Sequence, residues 1–320
     1  MRLKSAYWNF FADYLGLAAV LAGLILLFGF ATENFLTRTT FHTLANQIPT
    51  VLIVAVGMTF VLIVGGIDLS VGSVLALSGA VLGIGLVRLL LPLPLAILLC
   101  VATGLACGTL NGLIVIRWKI PSFIVTLGML EVARGGTYLV TGSRTQYLGE
   151  SIESISGVKI LEISLPFMLA VILVLVAQTT LWKTGFGRYV FATGANEEVL
   201  RLSGIDPRWV KLVVFALSGL LTALASVVYC SRLSAADPNA GSGFELQAIA
   251  ATVVGGTSLQ GGRGSAIGTF FGVLIIAVLG IGLAQMGAQE PTKRLVTGCV
   301  IVIAVIIDQY RQSREEARTK

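Results

Sequence analysis

Asp68 stands in GGIDLSVGS, a polar break between two apolar runs. A carboxylate held near membrane depth costs about 2.5–3.5 kcal/mol unless it meets water or a partner. Two roles follow. Asp68 and Ser70 can cap the helix that begins near Val71, or they can line a polar path, with the glycine pair before them permitting a kink. Asn111 can donate to a solute hydroxyl or to another helix. With Phe123 it completes the candidates for a translocation path. Glu131 and Arg134, in LGMLEVARGG, stand at i,i+3 inside an apolar run. That spacing puts them on one side of a helix, where they can pair and neutralise each other. A structural ion pair is one reading; a gating or subunit-contact role is the other.

The largest concentration of charge is Lys183 to Lys211, KTGFGRYVFATGANEEVLRLSGIDPRWVK, with five Lys/Arg and three acids in a chain that is only 12% charged. Gly185 and Gly187 break the preceding helix. Asn196 suits an N-cap, and Glu197 and Glu198 suit the positive end of a helix. Leu200 and Ile205 offer apolar knobs. Gly204 fits a C-terminal stop, and Pro207 bars continuation. The expectation is a helix of one to two turns on the membrane surface. It serves as a docking handle for a water-soluble partner, or lies in the interface as a merely amphipathic helix.

Other chemistries lack their residues. None of the seven lysines follows a glycine, so no GxxxxGK[ST] phosphate loop exists. There is no GxSG nucleophile turn and no GxGD aspartate motif. His42 is the single histidine, expected in a polar loop without a catalytic or metal partner. Cys100, Cys107, Cys230 and Cys299 lie in or at the ends of apolar runs, without metal spacing, and read as small apolar residues. The expectation is a chain that is no enzyme and needs no cofactor or metal.

The elements that must hold these residues are membrane helices. The chain is 56% hydrophobic with a mean hydropathy of +0.91, too little charge to cover a soluble domain of this size. Its apolar runs approach the ~20 residues that cross a bilayer and do not alternate as barrel strands would. The predicted spans are 15–31, 48–65, 70–88, 93–116, 122–141, 165–182, 211–231, 245–257, 266–285 and 294–308, the eighth being short. The fold class is all-α: a polytopic bundle of about ten helices, one integral domain over 1–320, with the charged segment 183–211 as its main loop. The first span reads as uncleaved, because no small-x-small site follows it. With the N-terminus inside, fourteen of the 22 Lys/Arg fall on the inner side and seven on the outer. The positive-inside rule then places 183–211 and both termini in the cytoplasm. The +6 net charge therefore marks orientation and not nucleic-acid binding.

Two outer loops, 32–47 and 142–164, are long, and the second can carry a short surface helix. Gly79/Gly83, Gly104/Gly108 and Gly268/Gly272 have the spacing that lets helices approach closely. GGIDLSVG (65–72) and GGTSLQGG (255–262) share GGxxLxxG. The two fall at span junctions that a five-plus-five repeat would not align, so the echo implies shared local mechanics and not a repeat.

The segments GGIDLSVGSVLALSGA, GTLNGLIVIRWKIPSFIVTLGMLEVARG, GRYVFATGANEEVLRLSGI and GGTSLQGGRGSAIGTFFGVLI together make the chain resemble the permease subunits of bacterial ABC importers for monosaccharides, the ribose-transport type. The resemblance runs from about Ile48 to Asp308. It implies the ribose/vitamin B12 type of permease fold, ten helices in the inner (plasma) membrane, a second permease copy or paralogue, ABC ATPase subunits below and a periplasmic or extracellular sugar-binding protein above. It also implies that a coupling helix fits a groove on the ATPase, carried here by Gly194, Asn196, Glu197, Glu198, Arg201, Ser203, Gly204 and Ile205. The chain departs from the family at Val199 and Leu200, where an alanine pair is usual, at Ser122 and at Gly280–Leu283. The expected function is inward movement of a monosaccharide or related polyol by alternating access. The competing class is an ion-coupled secondary transporter acting without an ATPase, although the membrane carboxylate network it would need is nearly missing.

Overall fold

The computed structural model describes residues 2–160 and 163–319. The chain opens with α1 (Arg2–Ala31), α2 (Arg38–Ile63) and α3 (Val71–Gly83), the last continued by a π-helical turn over Ile84–Arg88. Next come α4 (Leu93–Trp118), α5 (Ser122–Thr141), β1 (Gln146–Tyr147), α6 (Glu150–Gly157), β2 (Lys159–Ile160) and β3 (Ile163–Ser164). Then follow α7 (Leu165–Lys183), α8 (Gly185–Ala195), α9 (Glu197–Leu202), α10 (Pro207–Leu233) and β4 (Ala235–Ala236). The chain ends with α11 (Phe244–Val254), α12 (Ala266–Gln285) and α13 (Glu290–Thr319).

Among the described residues, eight helices are long and apolar enough to cross a membrane, and α11 is a shorter apolar one. These account for the first nine expected spans. The tenth, 294–308, falls within α13, several of whose side chains lie outside the described residues. The expected outer helix in 142–164 is α6, and β1 beside it pairs antiparallel with β4, Gln146 opposite Ala236. His42 is not in a loop: α2 starts at Arg38, with Thr37 as its N-cap accepting from Thr40 N–H.

The bundle is built around α2. From Ile48 to Ile63 its sequence is apolar on nearly every side, which suits a helix enclosed by others, and these residues are almost all buried. Around it pack α7, α10, α11 and α12. The small-residue spacings set the closest seams. Methyl groups at Gly104 and Gly108 of α4 would collide with the backbone of α10 at Gly219 and Phe215. Methyl groups at Gly268 and Gly272 of α12 would collide with Gly255 and Ala251 at the end of α11. Direct backbone approach of this kind is how helices gain contact in lipid, where no hydrophobic force draws them together. The outward residues of α4, such as Leu98, Leu105 and Leu113, are exposed leucines, as a lipid-facing side requires.

Candidate functional site

The charged segment is not a loop with one helix in it but two consecutive helices. Thr184, and not a glycine, ends α7: its backbone is extended and its hydroxyl accepts from Gly187 N–H to start α8. Asn196 then interrupts the helical path with an extended backbone and caps α9, its Oδ1 accepting from Glu198 and Val199 N–H at 3.0 and 3.1 Å. Glu197 and Glu198 occupy the first turn of α9 as the sequence implied. Gly204 ends it at φ +87°, a conformation that favours glycine. Pro207 does bar continuation, but it also begins α10, with Asp206 as the cap.

The knobs are placed differently from the sequence expectation. Leu200 is buried, against the floor formed by α8 and α10, and Ile205 is half-buried. The residues that protrude are Val199 at 61% and Leu202 at 79% exposure. Arg201 stands among them, paired with Glu198 at 3.0 Å, and Ser203 returns its hydroxyl to Leu200 O. Lys211, one turn into α10, donates to Glu197 and moors α9 to a membrane helix. The result is a six-residue helix fixed from behind, presenting two apolar side chains edged with charge.

Asp68, Ser70 and Asn111 come together, but inside the protein. Ser70 is the N-cap of α3 by position and makes no side-chain cap bond. Asp68 does the accepting. Its Oδ1 receives Ser70 N–H at 3.0 Å and Ser70 Oγ–H at 2.6 Å, and its Oδ2 receives Ser218 Oγ–H at 2.9 Å. Asn111 Nδ2 donates to Ser70 Oγ at 3.0 Å. All four are buried. The same connector is stitched to α5: Ile67 N–H donates to Ser122 Oγ, Leu69 N–H donates to Thr126 Oγ1, and Thr126 Oγ1 donates back to Ile67 O. One buried carboxylate thus ties together α3, α4 and α10, with α5 holding the backbone beside it. Ser218 and Thr126 were not singled out from sequence. Single hydroxyls in apolar helices are common, and their partners lie far away in the chain.

Phe123 does not join this node. It is exposed on α5, and so is Glu131 near the middle of the same helix. The expected Glu131–Arg134 pair is absent. Arg134 turns inward, and its Nη1 donates to Pro238 O at 2.6 Å and Ala240 O at 3.0 Å, fastening the connector between α10 and α11. Two carbonyls take both donors of this one nitrogen, out of the five N–H groups of the guanidinium, and so fix its direction without a carboxylate.

The α9 candidates border an open cleft of about 830 Å³, and none of the four path candidates lines it. Glu197, Glu198, Arg201, Gly204 and Ile205 line one side, while Gly65, Gly66, Lys119, Pro121 and Ser122 line the other. Among the described residues no cluster of His, Cys, Asp or Glu has metal-binding geometry.

Comparison with known proteins fits this architecture. A family model described as branched-chain amino acid transport system, permease component, matches residues 40–305. The chain is similar to the ribose import permease protein RbsC of Escherichia coli K12, at 39% identity over 90% of this chain and 91% of the relative. It is also similar to RbsC of Haemophilus influenzae, at 43% over 81% of each chain, and to the fructose import permease protein FrcC of Rhizobium meliloti, at 34% over 87% of this chain and 79% of the relative. No solved structure matches. A membrane helix bundle matched in this way over most of its length belongs to the permease family of ribose-type ABC importers.

Proposed function

We propose that this permease moves a monosaccharide or a related polyol into a bacterial cell through its plasma membrane, with α9 as the helix that meets an ATPase subunit. The family model is described for branched-chain amino acid transport, while the relatives at 34–43% identity are named for ribose and fructose. Close sequence likeness favours the sugar. A second copy or paralogue completes the path, and a sugar-binding protein outside delivers the solute. Both termini and α8–α9 lie in the cytoplasm, as the lysine and arginine distribution favours.

The observation that carries this reading is the form of α9. A capped, moored helix with Val199 and Leu202 exposed beside Arg201 is a small apolar centre with a charged rim, the composition of a protein contact. Val199 and Leu202 are left exposed beside Arg201 while Leu200 is buried and Lys211 holds α9 to α10, which favours a protein contact over a helix sunk in the lipid interface. Nucleotide-driven movement of the ATPases displaces α9, and the bundle alternates between its outward and inward forms.

The candidates for the path divide by burial. Asp68, Ser70 and Asn111 form one buried node with Ser218, in which Asn111 Oδ1 alone has no partner, and their best-supported role is to hold helices together. Phe123 remains on the open side of α5, where Glu131 adds a carboxylate able to accept hydrogen bonds from solute hydroxyls.

Arg201→Glu tests the docking role. Ribose uptake should vanish while the variant is inserted in the membrane at wild-type level, and unchanged uptake would overturn the assignment of α9.

A further inference from the structure

The paired GGxxLxxG segments, far apart in sequence, lie against each other in the fold. The first joins α2 to α3 and the second joins α11 to α12. Gly262 N–H donates to Ile63 O at 2.8 Å, so the second connector bonds the last residue of α2. Gly65, Gly261 and Gly262 all have positive φ, at +75°, +88° and +74°.

A third backbone closes the junction. Gly194, in the last turn of α8, lies so near that a methyl group there would overlap Ile63 O and reach Gly262 N. A methyl group at Gly261 would stand 3.0 Å from both Gly194 O and Gly65 N. One at Gly262 would stand 3.1 Å from Ala195 Cα. No side chain separates the three segments, so no rotamer change can absorb a displacement of one against another. Packed contacts of this sort shift as units. Two residues after Gly194 comes Asn196, the cap of α9. Beyond the junction, the first connector is fixed to α5 and α10 through Ser122, Thr126 and Ser218.

We propose that the two connectors form one clasp around Gly194, and that Gly194, Gly261 and Gly262 are positioning residues that carry the displacement of α9 into the helix pairs α2–α3 and α11–α12. The proposal rests on the reading of α9 as the ATPase-facing helix. Of the shared glycine pattern only Gly65 and Gly262 enter the clasp, whereas Gly72 packs on Gly241 and Gly255 on Gly268.

The test uses the permease assembled with its ATPase and binding-protein partners in proteoliposomes, with ribose as the transported probe. Cys299, exposed, is first replaced by Ser. Spin labels at Val199 and Gln260 report the distance from α9 to the clasp, and labels at Val199 and Leu139 report the distance from α9 to the far end of α5. On trapping the ATP-bound state, the first distance should stay constant and the second should change. A first distance that changes as much as the second overturns the clasp. If neither changes and Arg201→Glu still transports, the reading of α9 falls, and the clasp falls with it. In a second arm, Gly194→Ala should raise the ATP hydrolysed per ribose imported about tenfold, a coupling loss of ordinary size. A merely structural role would lower hydrolysis and import together, and a wild-type ratio in the assembled variant overturns the proposal. Should Gly194→Ala fail to insert, the label distances in the otherwise wild-type chain decide the matter.

Discussion

Asp68 is a charge held by neutral donors. Three hydrogen bonds from Ser70 and Ser218 converge on its two oxygens, and Asn111 is hung from the same serine. Removing such an acceptor strands several buried donors at once, at about 1–3 kcal/mol for each group left unsatisfied. Asp68→Ala should therefore lower the melting temperature of the detergent-purified permease by several degrees. Asp68→Asn should lower it less, because it keeps one acceptor oxygen and the Ser218 hydroxyl can rotate to accept from the new amide. Thermal unfolding of the two variants side by side checks the order. From sequence alone, the polarity of Asp68 was legible and its partners were not. Ser218 is 150 residues away, and nothing in an apolar helix marks one serine as the one that will face a carboxylate. The Glu131–Arg134 expectation failed for the same reason. Spacing i,i+3 says two side chains can meet, but a competing pair of carbonyls at Pro238 and Ala240 is invisible at that range.

At the level of elements, α9 was the most legible part of the chain. Cap, first-turn acids and glycine stop are all local signals, and each stands where the sequence implied. What escaped was α8, because Gly185 and Gly187 suggested a break where the helix in fact restarts, and the direction of the knobs, which depends on what lies underneath. Six residues cannot sustain a helix by propensity alone, so the cap matters out of proportion to its size. Asn196→Ala should cost about 1 kcal/mol locally and speed amide hydrogen exchange across 197–203, leaving the melting of the bundle unchanged. Asn196→Asp should restore protection, since its carboxylate accepts the same two N–H groups and suits the helix start.

For the whole molecule, the class and the spans were readable from hydropathy, while the proposed sidedness rests on charge alone. Pairing of helices was not. Small-residue spacing named Gly104 and Gly108 as a contact surface, but only the fold assigns Gly219 as its counterpart. Sidedness makes a direct prediction. In a background with Cys299 replaced by Ser, a cysteine at Val199 should react with an impermeant maleimide only in inside-out vesicles, and one at Tyr147, exposed near α6, only in right-side-out vesicles. The reverse pattern would invert the permease in the membrane and remove α9 from the reach of any ATPase.

Arg134's inward turn leaves Glu131 looking outward at half the height of a lipid-length helix. Hydrocarbon would cost that carboxylate about 2.5–3.5 kcal/mol, a penalty that the proposed second copy, set against this flank of α5 with water between, would remove.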